Sequence, residues 1–157
     1  MSITVRPEEP RDLRELQAML EADDNWREAF ELGHSSYRSF PIFVAVNERG
    51  TVLGMIEVNF DSEYVDRITP PGLTFPQTWI YRILVHAQHR RSGAGRAMMK
   101  YFAAEAEAQG RSFVAFFVDH SDDQVEQRVE FFSALGLQKL DDDESNLVMG
   151  GPTRILL

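Results

Sequence analysis

Three arginines and two glycines between residues 90 and 96 form the densest chemical cluster in this sequence, Arg90-Arg91-Ser92-Gly93-Ala94-Gly95-Arg96. A nearly apolar run, residues 78–86, precedes it, and a helical pattern of Ala97, Met98, Tyr101, Phe102 and Ala106 follows it. A helix N-terminus presents backbone N–H groups with no acceptor in the helix, together with a partial positive charge. Glycines let main chain close on a phosphate and adopt left-handed conformations. Arginines add charge-assisted donors at the same end. A strand, turn and helix of this composition can bind a pyrophosphate.

The other chemistry-bearing residues are scattered. Glu57 lies in an otherwise apolar run, on one face with Leu53 and Met55 if side chains alternate. A carboxylate so placed is a candidate general base, or else an exposed end-of-strand glutamate or the partner of Arg82. Tyr81 is a candidate acid or substrate contact, or an ordinary half-buried sheet tyrosine. His120 follows the apolar run 113–118 and is a candidate for proton transfer by residue type. His86 and His89 flank the turn and read as surface or phosphate-side residues. The four histidines have no metal-ligand spacing, so no metal is expected. With no cysteine, disulfides and thiol nucleophiles are excluded.

These residues need a scaffold. Residues 3–6 read as a strand, broken by Pro7 and Pro10. A helix follows with Leu13, Leu16 and Leu20 on one face, and a second is expected at 26–32. Residues 42–46 and 52–60 read as a hairpin across Asn47-Glu48-Arg49-Gly50. A long loop at 61–76 precedes the central strand 78–86. After the turn come a helix to about residue 110, a strand at 113–118 and a helix at 122–135 with Gly136 as its stop. Residues 137–140 and 146–149 close as a hairpin across an acidic turn. Strand, helix, strand implies parallel neighbours. The expected fold is a mixed α/β sheet of about six to seven strands, splayed near residue 85, with about four helices. Residues 1–157 read as one domain.

The 157 residues carry a formal charge of −9, which argues against a nucleic-acid partner. No acid lies from residue 67 to residue 104, where the chain's average would place roughly six. That stretch instead holds Arg67, Arg82, Arg90, Arg91, Arg96 and Lys100. A buried strand accounts for missing acids at 79–85 but not for the arginines beyond it. No apolar run reaches membrane-spanning length and residues 1–6 lack a signal h-region, so a cytoplasmic, non-membrane protein is expected. The apolar tail, Gly150-Gly151-Pro152 and 153–157, is expected to add a strand to a partner subunit, making a homodimer possible.

Three phosphate motifs compete for the turn. The Walker A pattern fails because no Gly-Lys-Ser/Thr follows. The dinucleotide fingerprint needs a third glycine where Met98 stands, although Asp119 lies where that fold puts its ribose-binding acid. Val85-x-Ala87-x-x-Arg90-x-x-Gly93-x-Gly95 resembles the acetyl-CoA motif of the GNAT superfamily of N-acetyltransferases, with Ala87 in place of the usual proline. The likeness extends, in order, to Val5-Arg6-Pro7 with Asp12-Leu13, to Val52-Leu53-Gly54 and to Phe131-Phe132-Ser133-Ala134-Leu135-Gly136-Leu137.

The resemblance implies the following roles. Ile83, Leu84 and Val85 would pair with the pantetheine arm of acetyl-CoA through their backbone. The amides from Arg90 through Arg91, Ser92, Gly93, Ala94 and Gly95 to Arg96 would hold its pyrophosphate. The Val85 N–H would face the developing oxyanion. Phe132, and Phe131 beside it, would border the pantetheine and thioester, and each also reads as core. The acceptor would be a primary amine of a small molecule or peptide, attacking directly, with residues 26–40 and 61–76 lining its cleft. Two departures stand out. Phe132 occupies the family's usual tyrosine position and cannot donate a proton. Tyr81 and Arg82 stand where an acid is frequent. A catalytically weak acyl-CoA-binding or sensing module is therefore the alternative.

Overall fold

The structure is a computed structural model and describes residues 2–23, 29, 32, 40–64, 68–120, 122–142 and 146–157. Seven strands form one mixed sheet: β1 (Thr4–Pro7), β2 (Ile42–Val46), β3 (Val52–Ser62), β4 (Gln77–Val85), β5 (Phe113–Phe117), β6 (Gln138–Asp142) and β7 (Leu147–Pro152). Their order is β1-β2-β3-β4-β5-β7-β6. The long helices among the described residues are α1 (Leu13–Ala22), α2 (Ala94–Ala108) and α3 (Val125–Ala134). The mixed α/β sheet expected from the sequence is the fold observed. The expected second helix falls outside the described residues, save Ala29 and Leu32, both buried.

The change of strand direction occurs at β4. It runs parallel to β5, with Thr78 opposite Val114 and Trp79 opposite Ala115. The pairs β1–β2, β2–β3, β5–β7 and β6–β7 are antiparallel. β3 departs from simple alternation: from Val52 to Val58 every residue is buried. A strand covered on both faces needs no polar side, and Glu57 is the one charged residue in this buried run.

The chain divides into two compact units, Met1–Glu57 with Arg82–Met98 and Val58–Tyr81 with Met99–Leu157. In the first, α1 buries Leu16, Met19 and Leu20, one turn apart on one face, among Ile42, Val44 and Met55. A buried charge pair fixes the entry to α1. Arg6 donates to both carboxylate oxygens of Asp12 (2.8 and 3.0 Å), and the Glu9 N–H donates to the same carboxylate (2.7 Å). That arrangement holds the Asp12 carboxyl below the ordinary aspartate range, chiefly through the Arg6 hydrogen bonds and against its burial.

In the second unit, Phe60 packs on Phe102, and Phe116 on Phe132. The Gln77 side chain ties β4 to the start of β5, accepting from the amides of Ser112 and Phe113 (3.0 Å each). α3 begins at Val125 rather than Asp122. Asp122 accepts from the Gln124 amide (2.9 Å) and pairs with Arg128 (2.6 Å), making a turn ahead of the helix. Gly150 to Pro152 lie within β7, and Thr153–Leu156 is a 3-10 turn with Leu156 buried. The Thr153 hydroxyl donates to Glu107 (2.6 Å) and its amide to Ser112 O (3.0 Å), so the tail closes on its own chain.

Candidate active site

The strand that leads into the arginine–glycine turn is held by a close backbone approach in the first unit. The His86 N–H donates to Leu53 O (2.8 Å). A Cβ on Gly54 would stand 2.7 Å from Leu84 O and 3.3 Å from Val85 Cα, so this approach requires glycine. Ile83, Leu84 and Val85 emerge from it half-buried.

The turn then folds in steps that local chemistry dictates. His86 Nδ1 accepts from the Gln88 N–H (3.1 Å) at the head of a 3-10 turn, Ala87–His89. The Ser92 N–H returns to His89 O (3.3 Å). Arg91 takes φ 64° and Gly93 φ 91°, both left-handed. Glycine does so freely, whereas an arginine there stores roughly 1–2 kcal/mol of strain. α2 starts at Ala94, whose N–H is capped by Ser92 Oγ (3.3 Å), and the Ala97 N–H reaches Gly93 O (3.0 Å). The amides of Gly95 and Arg96, second and third in the helix, have no acceptor one turn back within it. A main chain that alternates handedness ahead of a helix N-terminus turns its amides inward as an anion cradle. The side chains of Arg90, Arg91 and Arg96 are exposed around it. Arg90 makes a loose ion pair with Asp23 (3.7 Å).

Glu57 lies in the same unit. The contacts of Leu53 with His86 and of Gly54 with Val85 run β3 and β4 antiparallel, which puts Glu57 opposite Arg82. Arg82 Nη1 is 3.6 Å from Glu57 Oε1, and Glu57 is only 8% exposed. Ile42 of β2 is its other cross-strand neighbour. The ion pair considered from sequence is therefore present.

The remaining candidates belong to the second unit. Tyr81 is 55% exposed. His120 is exposed, with Nδ1 3.3 Å from Val118 O, at the rim of a cleft of about 610 Å³ that α3 lines with Val125 and Val129. Phe132 is 7% exposed; its ring packs 4.5 Å from Phe116 and 5.1 Å from half-buried Phe131, measured between centroids. Its environment is that of a core residue. The left-handed Arg91 and the exposure of Phe117 carry no mark in the sequence, since alternation alone could have put Phe117 on either face. Among the described residues, no cluster of three or more His, Asp or Glu has metal-binding geometry, and no helix is long and apolar enough to cross a membrane.

The family model of the acetyltransferase (GNAT) family matches residues 5–137. No curated protein matches the chain. Among solved structures, the chain is similar to the histone acetyltransferase HPA2 and related acetyltransferase of Corynebacterium glutamicum (TM-score 0.69, 20% identity, 97% of each chain covered). It is also similar to a GNAT-family acetyltransferase of Staphylococcus aureus (0.70, 11% identity, 97% of this chain and 99% of that one). A third is the paia N-acetyltransferase of Thermoplasma acidophilum, solved with coenzyme A (0.66, 14% identity, 97% and 99%). At these identities the structural likeness establishes the fold.

Proposed function

The chain belongs to the acetyltransferase (GNAT) family, and from that premise we propose that it moves an acetyl group from acetyl-CoA to a primary amine of a small molecule or peptide by direct attack. The observation that carries this reading is the main chain at Arg91 and Gly93: two left-handed residues immediately before α2, with three arginines around them. Such a turn accepts a diphosphate through amides rather than side chains, which leaves the arginines to match the outer phosphate charge. Coenzyme A bound to the Thermoplasma protein of the same fold supports acetyl-CoA as the donor.

In the proposed reaction the amine nitrogen attacks the thioester carbonyl and the C–S bond breaks. The Val85 N–H is assigned to the oxyanion. Glu57, 3.6 Å from Arg82, takes the proton lost by the amine, directly or through water. The sulfur leaves as thiolate and takes its proton from solvent, since a thiol is acidic enough to depart without a general acid. Phe132 gives a second reading its motive. A buried phenylalanine at the usual tyrosine position supplies no proton, so a module that binds acyl-CoA and turns over weakly fits the same turn.

Calorimetry with acetyl-CoA, CoA and NAD tests the donor, and thiol release over a panel of amines tests the reaction. Binding of the two CoA species with turnover of at least one amine supports the transferase. Tight CoA binding with no turnover of any amine, peptide or amino acid supports the module. Preference for NAD would remove both.

A further inference from the structure

We infer that the cleft beside α3, in the second unit, is a binding site for a linear aliphatic diammonium ion. The site stands independently of the acetyl-transfer reading.

The cleft belongs wholly to the second unit and has a volume of about 610 Å³, which is in the range of small-molecule sites. α3 supplies Val125, Val129 and Ser133, each four residues on from the last and so along one face. Leu147 of β7, 6% exposed, adds to the apolar surface. From Val125 to Ser133 the helix advances about 12 Å at 1.5 Å per residue. A chain of several methylenes can lie along that stripe and keep charged ends in water.

The polar groups around the stripe are acceptors. Glu126 and Glu130 line the cleft one helical turn apart, and neither has a hydrogen bond or ion pair among the described residues. Like charges at this spacing repel. Lys139, which also lines the cleft, is committed to Asp142 (3.0 Å). His120 Nδ1 lies 3.3 Å from Val118 O, a contact that needs the proton on Nδ1 and leaves Nε2 an acceptor. The ligand that matches this set carries N–H donors and positive charge on an apolar chain. Residues four apart on a helix have Cβ atoms roughly 5–6 Å apart, a span that about four methylenes bridge between two nitrogens. One exposed ion pair contributes little. Two that form together, joined by a chain that covers valine, reinforce each other through effective concentration. The fit is therefore to two charges at a set separation rather than to an amine in general.

The test is calorimetry on the full chain at about 0.02 M salt, where exposed charges are least screened, with no acetyl-CoA present, so that turnover plays no part. The ligands are 1,4-diaminobutane, 1-aminobutane, 1,2-diaminoethane and 1,4-butanediol. The proteins are wild type, Glu130→Gln and the double variant Glu126→Gln with Glu130→Gln, each checked for fold by circular dichroism. 1,4-Diaminobutane is expected to bind wild type with a Kd below about 1 mM, at least about tenfold tighter than the other three ligands. The double variant is expected to lose about tenfold or more, with Glu130→Gln in between. Three results overturn the proposal. One is no binding of 1,4-diaminobutane. Another is 1-aminobutane or 1,2-diaminoethane binding as tightly, which would remove recognition by two spaced carboxylates. The third is wild-type affinity in the folded variants, which would place the diamine elsewhere on the molecule. If the double variant does not fold, Glu130→Gln decides the location by the same criterion.

Discussion

Glu57 and Asp12 are both buried carboxylates facing an arginine, and their geometries assign them different work. Asp12 is saturated: two bonds from Arg6 and one from the Glu9 amide leave little for a ligand to do. Its task is structural. Because its folded pKa lies below the ordinary value, its stabilising contribution is present above the unfolded value and is lost as pH falls through the folded one. Asp12→Asn should therefore cost about 1–3 kcal/mol at pH 7. In urea titrations at descending pH, the gap to wild type should close only in acid below the ordinary aspartate range. Glu57, at 3.6 Å from Arg82, makes a looser pair with that partner. Glu57→Gln should lower kcat/KM by about a hundredfold or more, while acetyl-CoA affinity by calorimetry stays within about twofold of wild type. Unchanged rates across pH would remove Glu57 as the base.

At the scale of the element, the turn before α2 makes two opposite predictions from one geometry. Gly93 has open space around its Cα, the nearest atom to an added Cβ being Ile3 Cδ1 at 4.0 Å, yet its φ of +91° penalises any side chain. Gly93→Ala should lose about 1–2 kcal/mol of stability and weaken acetyl-CoA binding. Arg91 already bears that penalty at φ 64°. Arg91→Gly should raise stability by about 1 kcal/mol and still weaken acetyl-CoA, because a guanidinium is lost. Thermal melts paired with calorimetry check both. If Arg91→Gly binds acetyl-CoA as tightly as wild type, the strained arginine serves no phosphate.

Over the whole molecule, an acidic chain is proposed to bind an anionic cofactor, so the charge must be segregated. The acid-free stretch at 67–104 does this in sequence. Acetyl-CoA affinity should fall as salt rises from about 0.05 to 0.5 M, since exposed charges are screened over about 10 Å at 0.1 M. At saturating cofactor, about a hundred times Kd, stability should rise by about 2.7 kcal/mol, read as an upward shift in Tm. A shift that does not diminish with salt would argue against arginine recognition of the phosphates.

The sequence by itself determined the strands, the helices α1, α2 and α3, and the turn, because each depends on near neighbours: the unbroken apolar run of β2, the Leu13, Leu16 and Leu20 stripe of α1, the glycines flanking Ala94. It also carried the family resemblance, an ordered set of such local patterns. Three outcomes required the tertiary structure. Glu57 meets Arg82 only through the β3–β4 register, and one residue of slip would part them. Phe132 is buried because Phe116 of β5 packs against it, a contact between residues sixteen apart that no helical period encodes. Thr153 of the tail meets Glu107 and Ser112, contacts between distant residues that only the fold brings together, while Ile155 and Leu157 stay exposed. Local chemistry names the pieces; the packing of distant segments decides which charges are paired and which rings face solvent.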